Sequence, residues 1–334
     1  MDEVKQLVAD IKSGKLKPIY FLMGEEPYYI DKISDFIESK VLNEEEKGFN
    51  QTVLYGRDVS IEDIVGTSKR YPMMSDYQVV IVKEAQDLAR SIEKLAGYAN
   101  NPQPTTILVI NYKYKKIDKR KALYKAIKKN GVVYESKKLY DNQVADWIRR
   151  TLSSKKYAIT PKAAQMLVEF LGTDLSKISK ELEKLEIILP SGSQITPELI
   201  EENIGISKDF NNFELRKAVG SKDVVKAHQI ARYFAENPKD NPMVVTVSLL
   251  FTFFSQLLHL HGLADKSPRN VAAAIKINPY FVDEYITAAR HYPMRKVSEV
   301  VAILHEFDVK SKGVGSNAPA EGQLLKEMLV RILM

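Results

Sequence analysis

The sequence contains no cysteine and only five histidines among its 334 residues. Without cysteine the chain can form no disulfide, no thiolate metal site and no cysteine nucleophile. His259 and His261 stand two positions apart on a predicted helix, so their side chains project about 200° apart and cannot hold one metal ion together. We therefore expect no metal site, no catalytic residue and no cofactor.

The chain also lacks an apolar leader segment and a long uninterrupted apolar run. Its first residues carry charges throughout, unlike a secretory signal. The most apolar stretch, 243–263, is broken by serine, threonine, glutamine and histidine, which favours a buried helix over a membrane span. We predict a cytoplasmic protein that does not bind a membrane.

The pattern of apolar residues changes part-way along the chain. Five apolar segments have the length and composition of buried strands: 18–23, 51–55, 79–82, 105–110 and 131–135. Predicted helices alternate with them, among them one at 86–99, which is typical of a parallel sheet covered on both faces. The remainder is helical, with a loop at 313–319. We predict three domains: an α/β domain at 1–140, a small helical domain at 141–207 and a helical bundle at 208–334.

The segment after the first predicted strand has the position of a phosphate-binding loop without its residues. Such a loop reads G-x-x-x-x-G-K-[ST] and holds a nucleotide through backbone amides, a lysine and a hydroxyl group. Counted from Gly24, the second glycine falls on Tyr29, the lysine on Ile30 and the hydroxyl residue on Asp31. Lys83 ends the third strand, where ATPases carry a metal-binding aspartate. The first two domains thus resemble an AAA+ scaffold with a degenerate phosphate loop that does not bind ATP.

The net charge of +6 is concentrated in residues 112–130, which hold nine basic residues and a single aspartate. Basic residues interleaved with tyrosines suit a nucleic-acid backbone. The candidate DNA-facing residues are Lys113, Lys115, Lys116, Lys119, Arg120 and Lys121. The alternative is a solvated helix face whose buried side is Ala122, Leu123, Ala126 and Ile127. Composition alone leaves both interpretations open.

Several motifs, in this order and spacing, carry a resemblance to a known family. They are GEEPYYI at 24–30, RYPMMS at 70–75, KIDKRK at 116–121, DLSKISKELEKL at 174–185, HYPM at 291–294, and DVK at 308–310 with Gly313 and Gly315. Along essentially its whole length the chain resembles the delta subunits of the bacterial DNA polymerase III clamp loader.

The resemblance implies a role in DNA replication without catalysis by the chain itself. Delta subunits bind the ring-shaped sliding clamp and hold one of its interfaces open for loading onto primed DNA. They are non-catalytic members of a holoenzyme with DNA-directed DNA polymerase activity. The implied partners are the sliding clamp, the ATP-binding tau/gamma subunits, the delta-prime subunit and primer–template DNA. The bundle at 208–334 would join the other subunits in a circular collar.

The resemblance also places the clamp-binding element at Tyr71, Pro72, Met73, Met74 and Ser75, with the two methionines as an apolar wedge. The residues themselves agree, because two adjacent methionines in a polar loop cannot both face one local core, and methionine adapts well to a pocket on another protein. The alternative is that both methionines pack beneath the loop.

Three other functions remain as alternatives. An ATP-driven motor subunit of the clamp loader would need a working phosphate loop, which Ile30 and Lys83 argue against. A non-enzymatic DNA-binding protein would use residues 112–130 and the helical remainder. An enzyme with an unfamiliar site would rest on the carboxylate pair Glu25 and Glu26, which nothing nearby completes.

Overall fold

Five parallel strands form the centre of the first of two units into which the chain divides, Met1–Leu139 and Tyr140–Met334. The computed structural model describes residues 2–313 and 320–334, so Gly315 and most of the predicted loop at 313–319 lie outside the described residues. The strands are β1 (Ile19–Gly24), β2 (Gln51–Tyr55), β3 (Gln78–Lys83), β4 (Thr106–Lys113) and β5 (Val132–Ser136). Their order across the sheet is β2-β3-β4-β1-β5.

Helices cover both faces of this sheet. They are α1 (Asp2–Lys12), α2 (Pro27–Lys40), α3 (Glu44–Asn50), α4 (Ile61–Ser68), α5 (Ala96–Asn100) and α6 (Ala122–Asn130). Successive residues of a strand point to opposite faces, and in β1 Phe21 belongs to one apolar core while Tyr20 and Leu22 belong to the other. The sheet is therefore buried on both sides, as the continuous apolar strands predicted.

The segment 86–99, predicted as one helix, is not a continuous α-helix. The structure has 3₁₀ turns at Ala85–Leu88 and Ile92–Leu95, and only then the short helix α5. The buried residues Ala85, Leu88, Ile92 and Leu95 are spaced three or four apart. A 3₁₀ turn places residues three apart on one side just as an α-helix does, so the spacing could not separate the two.

The second unit is helical apart from two short strands that sequence patterns did not reveal. Strands β6 (Ala158–Ile159) and β7 (Gln194–Ile195) pair in parallel. The helices are α7 (Asp141–Ser154), α8 (Pro161–Leu171), α9 (Leu175–Ile188), α10 (Pro197–Ile204), α11 (Asn212–Gly220), α12 (Val224–Glu236), α13 (Met243–Gly262), α14 (Pro268–Ala274), α15 (Val282–His291), α16 (Met294–Ser311) and α17 (Glu321–Leu333). The division of this unit near residue 207 stays a prediction.

Helix α13 is long and apolar enough, by length and composition, to cross a membrane. Its inward side chains, however, belong to the large apolar core of the second unit, where the rings of Phe253 and Phe254 lie 5.3 Å apart. Phe254 also meets the ring of Tyr292 at 5.1 Å. This is the packing of a core helix, as the interrupted apolar stretch predicted.

A buried ionic cluster joins α8, α11 and α15 within the second unit. Arg216 lies 3.6 Å from Glu169 and 3.7 Å from Glu284, and its guanidinium stands 4.6 Å from the centre of the Phe213 ring. Both ion-pair distances exceed that of a strong hydrogen bond. Burial therefore prevails over the attraction of Arg216 and raises the pKa of Glu169 and of Glu284.

Candidate functional site

Two backbone amides at the start of the segment that would cradle a phosphate after β1 donate to protein carbonyls. The N–H of Gly24 donates to the Lys115 carbonyl at 3.1 Å, and that of Glu25 donates to the Ser136 carbonyl at 2.9 Å. Gly24 has a φ of +130°, and a Cβ at this position would lie 2.0 Å from the Ser136 oxygen. The glycine thus serves a close approach between β1 and β5.

The side chains of the degenerate phosphate loop have structural roles. Ile30 is completely buried in the sheet core, and the half-buried ring of Tyr29 meets that of Tyr28 edge to face at 5.1 Å. Glu26 caps α2 by accepting a hydrogen bond from the Tyr28 N–H at 2.9 Å, with Pro27 in the first turn. At the position of the lysine, which holds phosphates, stands the core residue Ile30, and at that of the hydroxyl group, which holds Mg²⁺, stands Asp31, which pairs with Lys113.

A lysine of the protein lies between the carboxylates at this edge of the sheet. The Lys113 ammonium, on a side chain only 13% exposed, is 2.8 Å from Asp31 and 2.7 Å from Glu84. Burial lowers the pKa of Lys113, but hydrogen bonds to Asp31 and Glu84 outweigh it and raise the pKa overall. Beside this triad, Lys83 pairs with Glu38 at 3.0 Å. The carboxylates that could attract a metal ion are therefore each paired with a lysine of the chain itself.

In residues 2–313 and 320–334, no group of three or more carboxylate or imidazole side chains is arranged to hold a metal ion. The second carboxylate of the loop, Glu25, pairs with Lys116 at 3.1 Å. Since Glu26 is a helix cap, the two carboxylates do not face a common point as an acid–base pair would.

The methionine loop, residues 69–77, connects α4 to β3 and presents apolar side chains to solvent. Met74 is fully exposed, Met73 is 61% exposed and Tyr71 is 76% exposed, while Pro72 and Ser75 are partly buried. Met74 also has a φ of +54°, in the left-handed region that non-glycine residues rarely adopt. The alternative in which both methionines pack beneath the loop is wrong.

Two buried amide side chains hold this loop, and sequence analysis missed both. The Asn50 amide accepts from the Met73 N–H at 2.6 Å and donates to the Met73 carbonyl at 2.9 Å. The Gln78 amide donates to the carbonyl of Arg70 and, at 2.7 Å, to the Thr106 hydroxyl. The loop backbone is thus fixed from both sides while its methionines face outward.

One sequence signal could have revealed the element that carries Asn50. Helix α3 is mostly charged and has no apolar periodicity, but it starts with a capping box. The Asn43 side chain accepts from the Glu46 N–H at 2.9 Å, and the Glu46 carboxylate accepts from the Asn43 N–H at 2.9 Å. The sequence N-x-x-E at 43–46 was therefore sufficient to predict the start of α3, although not its contact with Met73.

Comparison with known proteins identifies the family. The family model "DNA polymerase III, delta subunit" matches residues 20–137, and the model of that subunit's C-terminal domain matches residues 209–330. The chain belongs to the delta-subunit family of DNA polymerase III. The DNA polymerase III subunit delta of Bacillus subtilis is 24% identical over 336 residues, covering 97% of this chain and 95% of that protein.

A solved structure shows the same fold. The Bacillus subtilis DNA clamp loader delta protein superposes with a TM-score of 0.57 at 23% identity, and the match covers 99% of each chain. This likeness confirms the predicted fold class as far as a parallel-sheet α/β unit followed by a helical unit, and the AAA+ resemblance of the first unit stays a prediction.

Most of the basic residues proposed to face DNA are paired within this family member. Lys116 and Lys119 both contact Glu135, at 3.1 and 3.2 Å, and Arg120 contacts Asp118 at 2.7 Å. These pairs accompany the Lys113 triad described above. The Arg120 guanidinium lowers the pKa of Asp118 to about 2.

The two other candidates lie nearby, and the helix predicted through this region is shorter than expected. The Lys115 ammonium donates to the Gln86 carbonyl at 3.3 Å, and Lys121 is exposed at the start of α6. Strand β4 continues to Lys113, and α6 begins only at Ala122. Leu123, Ala126 and Ile127 are buried, whereas Ala122 is exposed. A DNA-facing role for the six basic residues stays a prediction.

Proposed function

We propose that this chain is the clamp-binding subunit of a DNA polymerase III clamp loader, which binds the sliding clamp and opens its ring for loading onto primed DNA. Membership of the delta-subunit family assigns the chain to the clamp loader and to DNA replication, as a non-catalytic component of the polymerase holoenzyme. Clamp binding through the methionine loop, and ring opening by that binding, are the further steps that we propose.

The observation that carries the proposal is the exposure of Met73 and Met74 on a loop whose backbone is fixed. Burying one methionine side chain contributes roughly 1.5–3 kcal/mol, so the pair could anchor a micromolar contact with a pocket on the clamp. Because Asn50 and Gln78 already order the loop backbone, little conformational entropy remains to be lost on binding.

Ring opening then requires differential binding and no bond chemistry. If the methionines fit the clamp better when the nearby ring interface is rearranged, the difference in affinity shifts the clamp toward its open form. This agrees with a sheet edge at which the first amides of the degenerate phosphate loop donate to the chain's own carbonyls, and at which Asp31 and Glu84 pair with Lys113. An ATP-driven motor function has no support in that arrangement.

The wider assembly is part of the same proposal. Helices of 208–334 would join tau/gamma and delta-prime subunits in a collar, with primer–template DNA held by the complex in the cytoplasm. The Bacillus subtilis relative is named as a clamp loader protein, which supports such partners.

The test is surface plasmon resonance on the cognate sliding clamp. The native chain is expected to bind, and the Met73→Ala/Met74→Ala variant is expected to lose binding with an unchanged circular dichroism spectrum. Ile187→Ala/Ile188→Ala provides a matched control, because it removes another adjacent exposed apolar pair, from α9 in the second unit. Absence of binding by the folded native chain would overturn the proposed function. Equal losses in both variants would overturn the assignment to the loop.

A further inference from the structure

We propose that Asn50 is a positioning residue that holds the methionine loop in its clamp-binding conformation, an inference that rests on the proposed function. Asn50 is the last residue of α3 and is only 4% exposed. Its side chain reaches across to the loop and contacts the backbone of Met73, whereas the Met73 side chain stays exposed. The contact therefore controls the backbone that carries the two methionines.

The Asn50 side chain makes two hydrogen bonds to the backbone of a single residue, Met73. The Asn50 Oδ1 accepts from the Met73 N–H at 2.6 Å and its Nδ2 donates to the Met73 carbonyl at 2.9 Å. The same Nδ2 donates to the Glu46 carbonyl at 3.2 Å, which ties the amide to its own helix. Two bonds to both backbone groups of one residue fix its orientation, whereas a single bond would still allow rotation about the bond axis.

Only a side-chain amide can make both of these hydrogen bonds. The site needs one acceptor facing the Met73 N–H and one donor facing the Met73 carbonyl, and the two ends of an amide provide them from a single planar group. A carboxylate provides only acceptors, so aspartate would place an oxygen against the Met73 carbonyl. Because Asn50 is buried, removing its amide would leave the N–H and the carbonyl of Met73 without their hydrogen-bond partner at a site with little access to water.

The two hydrogen bonds from Asn50 to Met73 are important because of the backbone conformation of the next residue, Met74. Met74 has a φ of +54°, a conformation that non-glycine residues keep only when their surroundings impose it. Gln78 anchors the opposite side of the loop through the Arg70 carbonyl. Asn50 thus holds the residue directly before the strained methionine. Its loss would leave the loop to be ordered during clamp binding, which we expect to weaken affinity about tenfold.

The experiment compares Asn50→Ala with Asn43→Ala. Asn43 is the same residue type at the other end of α3, where its side-chain hydrogen bond caps the helix through the Glu46 N–H. Asn50→Ala is expected to bind the clamp about tenfold more weakly by surface plasmon resonance, while Asn43→Ala binds within about twofold of the native chain. Hydrogen exchange of the Met73 amide in the isolated chain should be faster only in Asn50→Ala.

A mutant cycle separates positioning from a general loss of structure. In a Met74→Ala background, which weakens binding but leaves it measurable at high clamp concentration, Asn50→Ala is expected to cost less than about threefold. If Asn50→Ala still weakens clamp binding tenfold in the Met74→Ala background, Asn50 does not act by positioning Met74, and the proposal is overturned. If Asn50→Ala does not fold, the isosteric Asn50→Asp variant is used, and it should weaken clamp binding at least as much.

The outcomes also separate this proposal from the proposed function. If the native chain does not bind the clamp, the proposed function fails, and the exchange of the Met73 amide still shows whether Asn50 holds the loop. If the native chain binds and folded Asn50→Ala binds equally well, the positioning role is overturned while the proposed function stands.

Discussion

Replacing Lys113 with methionine tests whether its ion pairs at the carboxyl edge of the sheet stabilise the first unit against unfolding. Lys113 is the single cation between Asp31 and Glu84, at 2.8 and 2.7 Å. Methionine preserves much of the apolar stem and removes only the ammonium group. The two carboxylates are then left close together without their shared partner.

The expected loss of unfolding free energy lies between two limits. Removing one partner of a fully buried ion pair costs about 3–5 kcal/mol, whereas an exposed pair contributes about 0–1 kcal/mol. Here the lysine is nearly buried, but Asp31 and Glu84 remain 42% and 39% exposed, so water takes over part of their solvation. We expect a loss of about 2 kcal/mol, which moves a urea midpoint by about 1 M.

The assay must report on the first unit alone. The only tryptophan, Trp147, lies on α7 in the second unit, so its fluorescence is expected to be unchanged and serves as an internal control. Hydrogen exchange of peptides from β1 and β4, measured over a urea series, reports the unit that contains Lys113. Lys119→Met is the matched variant, because Lys119 also pairs with a carboxylate but is 66% exposed. It should change stability by less than about 0.5 kcal/mol.

A second variant decides between charge and packing. Lys113→Met/Asp31→Asn/Glu84→Gln removes all three charges, and replacing a whole ionic group by neutral side chains is often nearly neutral. It should recover most of the lost stability. If the triple variant is no more stable than Lys113→Met, or if Lys113→Met matches Lys119→Met, the ion pairs do not stabilise the edge as argued.

The remaining predictions concern a glycine, a buried carboxylate and nucleotide. Gly24→Ala should lower the stability of the first unit by about 3 kcal/mol, because its Cβ would meet the Ser136 carbonyl, whereas the unobstructed helical Gly66→Ala should stabilise it in melting curves. Burial raises the pKa of Glu169 above its ordinary 4.5, so the stability it contributes is present below pH 4.5 and is lost as pH rises through the raised pKa. In urea titrations followed by Trp147 fluorescence, the native chain should therefore lose stability relative to Glu169→Gln as pH rises above 4.5, and parallel pH profiles would contradict this. ATP with Mg²⁺ should leave the melting temperature unchanged, because Ile30 and Asp31 stand where a phosphate loop has its lysine and its hydroxyl group; a reproducible rise would contradict the argument.

Sequence analysis succeeded where the partners of a residue lie within one turn of a helix. The sequence S-x-x-D at 60–63 indicates an N-cap at Ser60 with Asp63 in the first turn of α4, and the structure has both reciprocal hydrogen bonds, at 3.1 and 2.9 Å. Thr160 likewise caps α8, accepting from the Ala163 N–H at 3.3 Å. Such contacts need only the local spacing of side chain and backbone, which the sequence states directly.

Sequence analysis failed where the hydrogen-bond or ion-pair partners of a residue come from distant segments of the chain. The ion pairs of Lys113 were not foreseen, since nothing in its sequence neighbourhood shows that β4 continues to it and brings it to Asp31 and Glu84. Asn50 was not singled out, because its partner Met73 is 23 residues away. Asparagine at the end of a short charged helix looks locally like any helix terminus. Pairing across the sheet and across loops depends on the tertiary fold, which local patterns do not encode.

The methionine loop and the degenerate phosphate loop lie at opposite edges of the sheet. The loop precedes Gln78 at the amino end of β3, whereas Lys83 and the degenerate phosphate loop lie at the carboxyl ends of the parallel strands. Six residues of β3 separate the edges by about 20 Å. At the carboxyl edge, ion pairs and backbone hydrogen bonds take the places of nucleotide contacts, while Asn50 and Gln78 hold the loop at the amino edge. Under the proposed function, the chain itself keeps the loop exposed for the clamp, and that exposure needs no nucleotide at the carboxyl edge.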